Sequence, residues 1–99
     1  TGVDDSPRFA LSLRAVPNPF NPSTAIHVSV PVPGRVTVEV YDVNGRRVRT
    51  LCDRTTGAGE FAVNWDGTDR RGEHGASGVY FVRVTASGVL ATEKIVLLK

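Results

Sequence analysis

Residues 35–51 read RVTVEVYDVNGRRVRTL. Val36, Val38 and Val40 alternate with Thr37 and Glu39, and a second run resumes after Asn44-Gly45. A period of two puts one set of side chains on each face of a strand. Asn and Gly tolerate positive φ best, so Val43-Asn44-Gly45-Arg46 predicts a two-residue type I′ turn. The stretch is therefore a β-hairpin with one apolar face.

The same period recurs on both sides of it. Ile26, Val28 and Val30 alternate with His27 and Ser29; Phe61, Val63 and Trp65 with Ala62 and Asn64; Tyr80, Val82 and Val84 with Phe81 and Arg83. Valine occurs 16 times and methionine never, and no stretch carries a capped apolar stripe of helical period. Pro31-Val32-Pro33-Gly34 and Ser87-Gly88 read as tight reversals. Asp66 to Gly78, with glycines at 67, 72, 75 and 78, reads as a long loop. Strands are expected over 10–16, 24–30, 35–43, 46–53, 59–65, 79–86 and 90–98. Seven short strands at this spacing predict an all-β, Ig-like (fibronectin III-like) antiparallel sandwich, with a barrel as the alternative. At 99 residues the chain holds one domain. Residues 1–9 read as a polar linker or lead-in, and 10–99 as the sandwich.

Residues 17–24, PNPFNPST, bring three prolines into six positions around Phe20. Proline fixes φ, removes a donor and biases its predecessor toward extended backbone. The segment is expected to be stiff, to carry the chain from one sheet to the other, to shield a strand edge, and to plug the open end of the sandwich with Phe20.

The chemistry-bearing residues are sparse. His27 lies on the polar face of a strand and His74 in the long loop, with no spacing that suggests a Ser/His/Asp arrangement. One cysteine, Cys52, excludes an internal disulfide and reads as a small buried side chain. Asp66, Asp69 and Glu73 could bring oxygens to a cation, but calcium-loop spacing is missing and Arg70 and Arg71 interrupt them. An Asp-Gly turn whose carboxylate accepts backbone N–H bonds is the simpler reading. Tyr41 and Phe81 face outward together, as a carbohydrate-gripping row or a cross-strand pair would. The net charge of +2 is spread through interspersed acids and ten arginines, which does not build the one-sided basic face of a nucleic-acid binder. No enzyme, cofactor, metal, small-molecule substrate or nucleic acid is expected.

Four segments in order, PNPFNPST, YDVNGRRVRTL, WDGTDRRGEHGASGVYFVRV and KIVLLK, resemble the C-terminal sorting domains of the bacterial type IX secretion system. They are also similar to the Ig-like domain of flagellar hook-capping proteins. The resemblance spans roughly residues 15–99. It implies a non-catalytic C-terminal module that directs secretion and cell-surface anchoring of a protein attached at its N-terminal side, recognised by an outer-membrane translocon. On the family's pattern, Pro17, Asn18 and Pro19 match the PNP signature. Asp42, Gly45 and Val48 match DxxGxxV, and Lys94, Ile95, Val96, Leu97, Leu98 and Lys99 match the terminal strand. Ile95 and Leu97 should face the core, leaving a terminal strand edge open to β-augmentation. The partner implied is a protein, and the location is outside a bacterium or on its surface. The alternative is a structural module (stalk, capping or filament subunit) that self-associates through strand edges.

Overall fold

The computed structural model describes residues 11–99. The expected linker, 1–9, lies outside the described residues. The described chain forms seven strands: β1 (Ser12–Val16), β2 (Thr24–Val30), β3 (Gly34–Tyr41), β4 (Arg47–Thr56), β5 (Gly59–Trp65), β6 (Gly78–Ala86) and β7 (Val89–Leu97). β2 and β5 match the expected spans residue for residue. Elsewhere the ends agree to within three residues, the largest difference being the far end of β4, which runs on to Thr56; the expected start of β1 at residue 10 lies outside the described residues. One sheet has the order β1-β2-β5 and the other β4-β3-β6-β7, with every pairing antiparallel. This is the expected Ig-like sandwich, and not a barrel.

Alternation set the inward faces. Ile26, Val28 and Val30 of β2 meet Val36, Val38 and Val40 of β3 and Tyr80, Val82 and Val84 of β6 in one buried cluster. Ile95 and Leu97 join from β7, while Val96 is half-buried and Leu98 exposed. Cys52 is buried against this core, so its thiol is packing material and not an outward hook. Each such aliphatic side chain contributes about 1.5–3 kcal/mol by leaving water.

Two expectations are corrected. The β3–β4 hairpin does not use a type I′ turn, because Asn44 does not have positive φ. Gly45 N–H donates to the Asp42 carbonyl at 3.0 Å and Asp42 N–H to the Arg46 carbonyl at 2.9 Å. With Gly45 at φ 82°, the loop is a three-residue turn ending in a left-handed glycine. The cause is Asp42, whose Oδ1 accepts from the N–H groups of Asn44 (2.9 Å) and Arg46 (3.0 Å) and draws the chain around itself.

The proline segment does not carry the chain between sheets either, since β1 and β2 are neighbours in one sheet. It leaves that sheet, touches β7 of the other, and returns. Phe20 makes a parallel bridge to Leu97, with Phe20 N–H donating to the Val96 carbonyl and Leu98 N–H to the Phe20 carbonyl, both at 2.9 Å. Edge protection and the Phe20 plug are as expected: the ring is buried beside Trp65, centroids 5.6 Å apart.

Candidate functional site

The strand registers gather the distinctive segments at one pole. Thr24 lies opposite Trp65, Tyr41 opposite Arg47 and Phe81, Gly78 opposite Leu97, and Phe20 beside Leu97. The other pole holds the turns after Val30, Thr56 and Ala86, and there the chain leads into β1 from Leu11. Thus PNPFNPST, the Asp42 loop, the loop from Asp66 to Ser77 and the end of β7 share the pole away from the lead-in.

An aromatic row holds that pole together. Trp65 stands between Phe20 and Tyr80, the Trp65–Tyr80 pair being edge-on at 5.1 Å. Trp65 Nε1–H donates to the Thr68 carbonyl at 2.8 Å, and the Tyr80 hydroxyl donates to the Ala76 carbonyl at 2.7 Å. The long loop is therefore fastened to the core at both ends. Gly67 lies at φ 82°, and a Cβ there would come 3.2 Å from the Pro22 carbonyl oxygen. Gly75 sits closer still: a Cβ there would meet the Tyr80 hydroxyl at 2.5 Å.

The terminal strand is not an open template. Asn18 presents its side-chain amide to β7 as a strand presents its backbone: Nδ2–H donates to the Lys94 carbonyl at 2.9 Å, and Oδ1 accepts from Val96 N–H at 3.1 Å. With Phe20 continuing the ladder, the outer edge of β7 from Lys94 to Leu98 is occupied. The expectation of a free terminal edge is corrected accordingly. Its cause is a partner 76 residues away, which no local pattern announces.

The matched residues divide by role. Asn18 pairs with β7, Asp42 and Gly45 build a turn, and Ile95 and Leu97 are core. Val48 is half-buried against the core. Pro17, Pro19, Lys94, Leu98 and Lys99 reach solvent, and Lys99 N–H donates to Ser77 Oγ at 3.0 Å. The turn whose carboxylate accepts backbone N–H groups is found in the long loop as expected, but the sequence reading did not connect it with the Asp42 loop, whose build it repeats. Asp69 Oδ1 accepts from the N–H groups of Arg71 (2.8 Å) and Glu73 (3.0 Å), and Gly72 lies at φ 84°. The signal was the spacing itself, Asp-x-x-Gly in both DVNGR and DRRGE.

Electrostatics at the pole follow from these contacts. Asp42 is held below the usual carboxylate range by the Arg46 N–H first and the Asn44 N–H next, and Asp69 likewise by Glu73 and Arg71. Asp66 is lowered chiefly by the Thr68 hydroxyl, which donates to Oδ1 while its oxygen accepts from Arg49. Burial, with Asp42 nearby, raises Tyr80. Arg46, Arg47, Arg70 and Arg71 rim a cavity of about 390 Å³ between the two loops. Asp66 and Asp69 are occupied by hydroxyl and backbone donors, and among the described residues no three metal-ligating side chains converge. Tyr41 and Phe81 are directly paired across β3 and β6. Arg83 lies over the Tyr41 ring at 4.4 Å, and the Tyr41 hydroxyl donates to Glu39 at 3.0 Å, so the aromatic row is bound within its own sheet. Those contacts favour the cross-strand pair over a sugar-gripping row.

Two packed antiparallel sheets with the order β1-β2-β5 and β4-β3-β6-β7, closed at one pole by an aromatic row, define an immunoglobulin-like domain. The chain belongs to the FlgD Ig-like domain family, which matches residues 23–88. Among solved structures it is similar to dimeric latent PorU from Porphyromonas gingivalis, with a TM-score of 0.72 and 26% identity over 90% of this chain. It is also similar to FlgD from Xanthomonas campestris, the flagellar hook-capping protein, with a TM-score of 0.59 and 30% identity over 85% of this chain. PorZ of the Porphyromonas gingivalis type IX secretion system shares the fold, with a TM-score of 0.57 and 22% identity over 89% of this chain. The chain spans only 9% of PorU, 12% of PorZ and 60% of FlgD. No curated protein sequence matches it.

Proposed function

We propose that the domain is a non-catalytic module that directs secretion and surface anchoring of a protein attached ahead of it, recognised by an outer-membrane translocon. The observation that carries this reading is the division of the molecule into two poles. The chain leads in at one, and Pro17, Asn18, Pro19, Asp42, Gly45, Val48 and Lys94–Lys99 gather at or beside the other. A partner can grip the far pole while the attached protein hangs clear of it. The order of the four motifs, which resembles that of type IX sorting domains, supplies the route. The solvent-facing residues, Pro17, Pro19, Lys94, Leu98 and Lys99, make the contact; Ile95, Leu97 and Asn18 hold the strand that presents it.

The test is a secretion assay in a type IX-competent bacterium, with a periplasm-targeted fluorescent protein fused ahead of residue 1. Deleting residues 94–99 would strip Ile95 and Leu97 from the core, so surface substitutions are the sound probe. The variant carrying Lys94→Glu, Leu98→Glu and Lys99→Glu should fold by circular dichroism yet stay in the periplasm. Leu90→Ser, toward the opposite pole, should be exported as the parent is. Export of both variants, or of neither and not the parent, sinks the reading for that translocon. A second reading, an assembly module that packs against its own copies, draws on the 30% identity to FlgD. It requires association that grows with concentration in light scattering.

A further inference from the structure

The two sheets treat the charges on their outer faces differently. On the four-stranded sheet most are engaged: Arg35 holds Asp53 at 2.9 Å, Arg47 holds Glu39 at 3.1 Å, and Arg83 lies over the Tyr41 ring. On the three-stranded sheet they are not. The registers of β1, β2 and β5 align two rows of outward side chains, Ser12–Ser29–Glu60 and Arg14–His27–Ala62. None of these side chains makes an ion pair or a hydrogen bond with another described residue, and all but the half-buried Ser29 are exposed.

Between the rows runs a trough of about 650 Å³, floored by the intervening row Leu13–Val28–Phe61. It crosses three strands and is therefore roughly 10 Å long, with walls two residues apart, roughly 7 Å. Its charges are polarised. Arg14 stands at the β1 end of one wall and Glu60 at the β5 end of the other, about 12 Å apart along the diagonal, and they do not pair. The hydroxyls of Ser12 and Ser29 and the imidazole of His27 fill the places between, each able both to donate and to accept. Ala62 is the one apolar side chain on either wall, and it is too small to clasp an aliphatic or aromatic group.

This composition selects a ligand that is polar along its whole length, anionic at one end and rich in hydroxyls. A bare oxyanion would leave most of the volume unfilled and the Glu60 carboxylate unanswered. An extended peptide would need apolar pockets for its side chains, which the walls do not offer. We infer that the outer face of the three-stranded sheet is a binding site for an acidic sugar, a uronic acid or a glycan chain ending in one. The ligand carboxylate would take the Arg14 guanidinium through two parallel hydrogen bonds. Ring hydroxyls would exchange hydrogen bonds with Ser12, Ser29 and His27, and one would donate to Glu60. The paired strands hold these groups at fixed spacing, as a binding site requires. The trough lies on the flank toward the lead-in, and the inference does not rest on the export reading.

The experiment titrates the whole 99-residue chain with four probes and follows its amide chemical shifts. The probes are methyl glucuronide, methyl glucoside, acetate and the zwitterion triglycine. Methyl glucuronide is expected to shift the amides of Ser12–Arg14, His27–Ser29 and Glu60–Ala62. It should bind about tenfold more tightly than methyl glucoside, the worth of one charge-assisted contact. Acetate and triglycine should bind more weakly than the glucuronide. Arg14→Gln should erase the preference for the acid, and Glu60→Gln should weaken both glycosides. Lys94→Gln, on the other sheet, should change neither, and every variant should keep the parent's circular dichroism. The inference is overturned if the two glycosides bind alike, if acetate or triglycine matches the glucuronide, or if no probe shifts these amides. Tighter binding of the acid by Glu60→Gln would make the trough a simple anion trap, which also overturns it.

Discussion

The Asp42 loop and the Asp69 loop are the same five-residue device in two settings. In each, the aspartate carboxylate accepts two backbone N–H groups and the glycine three residues on is left-handed, at φ 82° and 84°. In each, the aspartate N–H donates to the carbonyl four residues on, at 2.9 and 2.8 Å. The Asp42 loop is the tip of a hairpin, with two strands of one sheet feeding it. The Asp69 loop lies in the passage from β5 to β6, between sheets, and beside it stands only the single bridge between Thr68 and His74. What replaces the strands there is tertiary: the Trp65 indole on the Thr68 carbonyl, Arg49 on the Thr68 hydroxyl, and Gly75 N–H on the Gly67 carbonyl at 2.8 Å. The lesson is that Asp-x-x-Gly closes on its own chemistry, and the surroundings decide only how firmly it is held.

The sharpest way to break the symmetry is Gly75→Ala. The added Cβ collides with the Tyr80 hydroxyl, which must leave Ala76, and overpacking of this kind costs about 3 kcal/mol. Urea unfolding should show that loss, whereas nothing comparable flanks Gly45, where a Cβ meets no atom within 4 Å. Next, Trp65→Phe leaves the Thr68 carbonyl without its buried donor, at about 2 kcal/mol. Hydrogen exchange should then quicken at Arg71 and Glu73 while Asn44 and Arg46 keep their protection. A uniform change at both loops would mean that the tertiary anchors are not what holds the Asp69 loop.

The smaller tests ask whether the devices are alike where the surroundings are removed from the question. Gly45→Ala and Gly72→Ala each force an L-residue into the left-handed region with open space around it, so both should cost about 1 kcal/mol and differ little. The smallest effect is electrostatic. Asp42, Asp66 and Asp69 titrate below their unfolded-state values because hydroxyl and backbone donors favour the charged forms. Their contribution is present above the unfolded pKa of about 3.9 and is lost as pH falls through the lower folded values. Asp42→Asn and Asp69→Asn should each flatten the acid limb of a stability–pH profile by a similar amount.

Most of the fold was legible because a half-buried strand writes its burial into alternate positions. Ile26, Val28 and Val30, or Val82 and Val84, could take no other face. The turn at Asn44-Gly45 was legible as a reversal but not in its type, because the deciding atom belongs to Asp42, outside the two residues that usually settle the matter. In the long loop the carboxylate-capped turn was legible, but its likeness to the Asp42 loop was hidden, because Arg70 and Arg71 stand at the two positions that Val43 and Asn44 fill there. Phe20 announced itself as a plug. Its destination on β7 did not, since Asn18 and Lys94 are joined by a contact that spans nearly the whole domain. The distal pole of the candidate site was thus readable as a set of motifs and unreadable as a place.

That long-span contact also has a consequence in time. Residues 12–20 are made before the rest of the described domain, and while the strands between them are made the partner they need, residues 93–98, does not yet exist. Until then the first sheet has β1, β2 and β5 but no neighbour for Asn18, and the Trp65 row lacks the pressure of Phe20 held in place. The pole therefore cannot close until β7 has been made and can meet Asn18 and Phe20. Pulse-labelled exchange during synthesis should find the amides of Val96, Leu98 and Phe20 gaining protection together and last.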